Sequence, residues 1–222
     1  QYLTAFADGF AKKVARGIDI MAFHGLNPRT GLTASALVNK NFDDLVSNVV
    51  VFDSTTPDAN ITDAIALIED AEHDVTGLAM APALKRALAQ LKTGKDMNVP
   101  LFPELGWGAA VGQINGLPVD TNINASTFEG CSALTGITVD TNNTVSFASG
   151  DDRGIVGNFA DYFKWGFAKQ IPIEVIEYGN PDNSELGDLK GHNQVYLRGE
   201  AYVGWGIIDP SAFAIIKANA SA

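Results

Sequence analysis

Three histidines, His24, His73 and His192, are the side chains best suited to acid–base or metal chemistry. They stand far apart, form no HExxH pair and have no second ligand at metal spacing, so they read as surface or helix-end histidines. No GxSxG elbow exposes a nucleophilic serine. Gly106-Trp107-Gly108-Ala109-Ala110-Val111-Gly112 is a relaxed version of a dinucleotide-binding turn. That motif opens a helix, whereas Asn115-Gly116 follows here and favours a hairpin. Asp140-Thr141-Asn142-Asn143-Thr144 starts like a calcium loop and Asp151 stands at its twelfth position, but Val145 replaces the required glycine. Asn-x-Ser/Thr triplets at Asn60, Asn124, Asn142 and Asn219 matter only in a secreted protein. The residues assemble no catalytic, cofactor-binding or metal set, and a non-enzymatic protein without cofactors is expected.

The elements that would position such residues are unusually long. Leu3, Phe6, Phe10, Val14, Ile18 and Met21 fall on one face of a helix, with Asp8, Lys12, Lys13, Arg16 and Asp19 opposite. Gly25 stops this helix after about 22 residues, or roughly 33 Å. It begins almost at residue 1, which suggests a fragment or processed form of a longer chain. Near the other end, Val195, Leu197, Gly199, Ala201, Val203, Trp205 and Ile207 alternate with Tyr196, Arg198, Glu200, Tyr202 and Gly204. That pattern predicts one strand of about 14 residues, roughly 46 Å long. Asp209-Pro210 then predicts a helix start.

Between these ends the chain mixes helix and strand. Residues 27–41 read as an irregular connection, and 42–53 as a short helix turning into strand. A helix is expected from Ser54 to Ala71, with Ile61, Ile65 and Ile68 inward. Thr76–Ala81 is a strand candidate, and Pro82 opens a helix with Leu84, Leu88 and Leu91 inward. Residues 107–121 predict a hairpin turning at Asn115-Gly116. Residues 122–154 read as polar loop, Phe163–Tyr178 as mostly strand, and 179–192 as a turn-forming connection. With no regular βαβ alternation, the expected class is α+β with an antiparallel sheet.

Composition limits the partners. The chain of 222 residues is 46% hydrophobic and carries a net charge of −11. Its single cysteine, Cys131, rules out an internal disulfide framework. A grip on DNA needs a basic footprint, and the only local basic cluster is Lys12, Lys13 and Arg16. Sequence-specific nucleic-acid binding is therefore not expected. No apolar run approaches the roughly 18–20 residues that cross a bilayer, no signal-peptide layout opens the chain, and a soluble, intracellular protein without a membrane partner is expected.

Several segments together resemble the major capsid protein of tailed bacteriophages, which has the Hong Kong 97-type capsid fold. FADGFAKKVARGIDIMAFHG resembles the spine helix of that family. MAPALKRALAQLKTGKDMNVPLFP resembles its segment of helix, polar turn and Leu-aromatic-Pro. INGLPVDTN is similar to its Gly-x-Pro-Val strand, and GNFADYFKWGFAKQIPIEVIEYG to its Gly-x-Phe segment with a long strand. NQVYLRGEAYVGWGIIDPSAFAII is similar to its terminal strand followed by an Asp-Pro-x-Ala-Phe helix. The five segments occur in the family's order.

The resemblance implies a peripheral domain, 1–47 with 156–209, carrying the spine helix, long antiparallel strands and a tip loop at 179–192. It implies a mixed α/β axial domain, 48–155 with 210–222. The family's N-terminal arm and extended loop are not visible ahead of the first helix. The implied role is self-assembly into pentamers and hexamers of an icosahedral virion shell around DNA, built in the bacterial host cytoplasm. Scaffold, portal and protease of the same phage are the other implied partners. An encapsulin-type bacterial compartment shell uses the same fold and is the alternative. Some relatives join a lysine to an asparagine of a neighbouring subunit with help from a glutamate, and Asn193 and Glu200 match that spacing. Lys12, Lys13, Arg16, Tyr196, Arg198, Glu200 and Tyr202 are the expected subunit contacts.

Overall fold

A computed structural model describes residues 2–28, 31–94, 98–106, 111–126, 137–139, 145–147, 152–169, 173–181 and 187–218. The chain clusters into two compact units, 1–15 with 165–204 and 16–164 with 205–222. The expected peripheral and axial domains concern placement within a shell and are taken up under Proposed function. Among the described residues no helix is long and apolar enough to cross a membrane.

The larger unit is built on a six-stranded sheet. Its strands are β1 (Val49–Val51), β2 (Gly77–Met80), β3 (Gln113–Ile114), β4 (Leu117–Thr121), β7 (Asp152–Gly157) and β12 (Phe213–Lys217). They stand in the order β1-β12-β7-β2-β4-β3. The sheet is mixed rather than antiparallel: β1–β12 and β2–β4 run parallel, the other ladders antiparallel. Asn115 and Gly116, both at positive φ, make the β3–β4 turn where the sequence placed it. A further antiparallel pair joins β5 (Ile137–Val139) to β6 (Val145–Phe147). Most of the calcium-like segment and Cys131 lie outside the described residues.

β12 replaces the helix expected after Asp209-Pro210. Asp209 does cap a turn, accepting a hydrogen bond from the Ser211 amide, but the turn ends at Ala212 and strand follows. Phe213, Ala214, Ile215 and Ile216 are all fully buried, since this strand is covered on both faces. On one face, Ala214 and Ile216 pack with Val156 of β7 and with Ala64, Ile68, Leu84 and Leu88. Those four come from α3 (Pro57–Glu69) and α4 (Pro82–Ala89), which form close to their expected places behind N-terminal prolines. On the other face, Phe213 and Ile215 pack with Ile155 and with Phe42 of α2 (Phe42–Leu45). Phe42 meets Phe213 edge to face at 4.9 Å.

β7 begins inside the stretch 122–154 that reads as polar loop, yet it pairs with both β12 and β2. Residues 155 and 156 both belong to it, so the expected boundary between them falls inside a central strand.

α1 (Tyr2–His24) is the expected long helix and contributes residues to both units. In the smaller unit, β9 (Glu174–Ile176) pairs antiparallel with β10 (Tyr196–Arg198). β8 (Phe163–Lys169) pairs with β11 (Tyr202–Ile207) after the short helix α5 (Phe159–Tyr162). The single long strand expected from 195 to 208 is thus two strands with different partners. The break falls at Gly199–Ala201, where a Cβ on Gly199 would stand 2.7 Å from the Phe10 ring. Within β11 the alternation holds, with Val203, Trp205 and Ile207 the less exposed residues.

Close packing around Phe213 gives a direct test. A Cβ on Gly157 would lie 2.2 Å from a Phe213 ring carbon and 2.6 Å from the Ala212 carbonyl, while Gly166 has nothing within 4 Å. Gly157→Ala should therefore lower stability by about 3 kcal/mol in urea unfolding, and Gly166→Ala should change it little. Equal effects of the two substitutions would overturn this packing.

Candidate functional site

The residues with the most chemistry meet in the larger unit, at the C-terminal end of α1. The helix ends on His24, and Gly25 at φ 63° turns the chain away, its amide bonding to the Met21 carbonyl. A Cβ at Gly25 would strike the side-chain amide of Asn41, which is buried as the N-cap of α2. This turn brings α2, and so Asp43, beside His24. Asp152 at the start of β7 and Lys217 at the end of β12 are cross-strand neighbours, which places both beside the same group.

His24 Nδ1 lies 2.8 Å from Asp43 Oδ2 and 3.4 Å from Asp152 Oδ2. Its Nε2 lies 2.8 Å from the Asn124 carbonyl oxygen. A carbonyl only accepts, so Nε2 carries a hydrogen. The Lys217 ammonium stands 3.7 Å from Asp43 Oδ1 and 3.6 Å from Asp152 Oδ1. Two acids and two bases can thus balance in charge, which is how buried ionic groups avoid a large desolvation cost. Among the described residues this is the one group of three metal-capable side chains drawn together, with ligand atoms within 4.8 Å of one another.

Each titration is shifted by these neighbours. Burial and the charge of Asp43 push the Asp152 carboxyl up to about 7. Burial would also raise Asp43, but its hydrogen bond to His24 and the charges of His24 and Lys217 hold it below the ordinary carboxylate range. Burial would lower His24, and the hydrogen bond and charge of Asp43 reverse this and raise it. Nearby, burial raises Asp19 although Asn124 and Asn122 donate side-chain hydrogen bonds to it. Asp19 was expected on the solvent side of the helix, and these two asparagines hold it half-buried instead.

Sequence reasoning missed this cluster because its members are local to nothing. His24 and Asp43 are 19 residues apart, and His24 and Asn124 are 100 apart. His73 is also tied in, with Nε2 3.1 Å from Ser211 Oγ and 3.2 Å from Asp209 Oδ2. His192 is the exposed surface histidine that was expected.

The expected contact residues are scattered. Lys12 and Lys13 are exposed on α1, and Arg16 is half-buried. Tyr196 is half-buried on β10, and Tyr202 is exposed on β11. Arg198 and Glu200 form an ion pair across the break between those strands. Asn193 is exposed in the left-handed region at φ 50°, closing the turn Lys190–His192.

The cluster predicts a pH response with a definite sign. Between the ordinary value of 3.8 and about 7, folded Asp152 holds a proton that the unfolded chain has released. Stability therefore falls as pH rises through that window, by up to about 1.4 kcal/mol per pH unit for one proton. The raised His24 acts in the same direction: its contribution is complete below 6.5 and is lost as pH rises through the folded value. Asp43 acts oppositely, contributing above 3.8 and losing that contribution as pH falls through its lowered value. In metal-free buffer, urea unfolding should be hardest at mildly acidic pH and easier by pH 8, with a shallower slope in Asp152→Asn. A wild-type midpoint that rises from pH 5 to 8 would refute the assignment.

Comparison with known proteins gives the setting for this geometry. A family model described as the phage capsid family matches residues 4–218. No curated protein matches the sequence. Among solved structures, a chain from Mycobacterium phage Ogopogo aligns with TM-score 0.77 at 29% identity, over 97% of this chain and 67% of its own length. A chain from Gordonia phage Cozz aligns with TM-score 0.76 at 23% identity, over 99% of this chain and 64% of its own. The capsid of an empty GTA particle shares the fold at TM-score 0.55 and 14% identity, over 96% of this chain and 65% of its own. The chain thus spans about two thirds of the length of these neighbours. Matched from residue 4 to residue 218, the chain belongs to the phage capsid family.

Proposed function

We propose that the chain is the shell-forming body of a phage major capsid protein with the Hong Kong 97-type fold. It self-assembles into pentamers and hexamers of an icosahedral virion shell around the DNA genome, built in the host cytoplasm with scaffold, portal and protease of the same phage. The family match over residues 4–218, joined to a fold likeness over 97% of the chain, carries this reading. Neighbours from phages and from a GTA particle favour a phage shell over an encapsulin-type compartment.

The smaller unit supports a role completed by other subunits. Every fully buried apolar side chain among the described residues belongs to the larger unit. The smaller unit instead exposes Trp165, Phe167, Tyr178, Val195 and Tyr202, with Trp165 and Phe167 in edge-to-face contact. Large apolar side chains left in water in this density mark an interaction surface. We assign these, together with Lys12, Lys13, Arg16, Tyr196, Arg198 and Glu200, to contacts between copies. Residues 1–47 with 156–209 then form the peripheral domain with its tip at 179–192, and 48–155 with 210–222 the axial domain, the two meeting within β7. The ion pair of Glu200 with Arg198 favours a structural role for Glu200 over that of helper in a crosslink between a neighbour's lysine and Asn193.

Electron microscopy of the full-length protein, expressed alone or with its scaffold, tests the reading. Uniform icosahedral particles are expected, running as monomer on denaturing gels. A persistent monomer with enzymatic turnover would overturn it. The double substitution Trp165→Ser, Phe167→Ser should raise the concentration needed for assembly more than about tenfold, while leaving the melting of the larger unit unchanged.

A further inference from the structure

His24, Asp43 and Asp152 carry more than a charge balance. Their arrangement has the two shells of a metal site. In the inner shell, His24 Nδ1 and one oxygen from each carboxylate lie within 4.8 Å of one another, two of the separations being 2.8 and 3.4 Å. A tetrahedral zinc ion with bonds of about 2.0–2.2 Å spaces its ligand atoms roughly 3.3–3.5 Å apart. Side-chain shifts of about 1 Å or less would bring these three atoms to that spacing.

The outer shell is the independent observation. A histidine that binds metal through one ring nitrogen gives the other N–H to a carbonyl or carboxylate, which fixes the tautomer. Nε2 of His24 does this with the Asn124 carbonyl at 2.8 Å, so Nδ1 is the nitrogen left to face a cation. The ligating carboxylates of such sites are themselves held from behind. Here the Lys217 ammonium stands 3.6–3.7 Å from the outer oxygen of each. The side chains of Asp43 and Lys217 are partly exposed, which gives an ion a way in.

We propose that His24 Nδ1, Asp43 and Asp152 bind one divalent transition-metal ion, with water as the fourth ligand. One imidazole and two carboxylates suit zinc and its neighbours, whereas calcium and magnesium prefer oxygen alone. The ion takes the place of the proton between the imidazole and the carboxylates, and binding releases protons to solvent. By joining the end of α1 to α2 and β7, it ties together three elements that local sequence does not connect. The site is structural: its ligands lie inside the larger unit rather than in a substrate cleft.

Calorimetric titration of the chelator-treated 222-residue chain with zinc chloride at pH 7.5 tests this. One equivalent should bind, with proton release seen as a heat that varies with the buffer. Melting should rise by about 5 °C at saturating zinc, and the affinity should fall at least tenfold at pH 5.5. His24→Gln should abolish binding, whereas His73→Gln and His192→Gln should retain it. Should His24→Gln fail to fold, cobalt(II) added to the unsubstituted chain gives a second readout. One equivalent should produce the visible absorption of a tetrahedral site, and zinc should bleach it. Binding that survives in a folded His24→Gln, or no stoichiometric uptake of zinc or cobalt, would overturn the site and leave a purely proton-held cluster.

Discussion

Four consecutive residues of β12, Phe213 to Ile216, are fully buried, so both faces of the sheet beside them must be covered. Much of the larger unit follows from that requirement. Alternate side chains of one strand point to opposite faces, and here Ala214 and Ile216 call for the helical cover of α3 and α4. Phe213 and Ile215 call for the aromatic cover of Phe42. β7 repeats the division with Val156 on one face and Ile155 on the other. Gly157 leaves room for this packing, since the Phe213 ring lies where a side chain would stand. The strand that organises the unit has polar ends: Asp209 caps the turn before it, and Lys217 closes it against Asp152.

This constraint explains which parts of the fold were legible in the sequence. Elements specified by local chemistry formed where expected: the Asn115-Gly116 turn, the two proline-led helices and the strand between them. Elements specified by burial on two faces were not. A short unbroken apolar run such as FAII carries no period, so it reads equally well as strand or helix. In the same way, the Asp152-Arg153-Gly154 start of β7 reads as the end of a polar loop, because two charges and a glycine hide the strand that begins there. Alternation from 195 to 208 was real, but it could not reveal the change of partner from β9 to β8. Period reports which side of a strand is covered, and it is silent on what the strand pairs with.

The ionic cluster was illegible for a related reason. Each of its members looks ordinary alone: a helix-end histidine, an acid in a short helix, an acid after a loop, and a lysine near the chain end. Only the fold gives them a common neighbourhood, and Gly25 is the one local sign that the chain must turn sharply after His24. Burial then does the rest, because ionic groups removed from water must find each other or shift their titration. The sequence did contain the charge count, but not the pairing.

The capsid reading, by contrast, came from an ordered set of segments that resemble a family, and no single reactive group announced it. Physical chemistry gives a reason for that difference. An enzyme concentrates its function in a few side chains with perturbed titrations inside a cleft. A subunit of a closed symmetric assembly spreads its function over surfaces that repeat by rotation and need only match one another. Such surfaces look, in one isolated chain, like apolar residues out of place. Trp165, Phe167 and Tyr178 have this character, exposed in a unit that has no fully buried apolar side chain among the described residues. The larger unit holds the buried core, and the ionic group of His24, Asp43, Asp152 and Lys217 is largely buried within it. A division of this kind lets one part hold its fold independently while the other gains its stability from neighbours, because anything that binds only the folded state stabilises it.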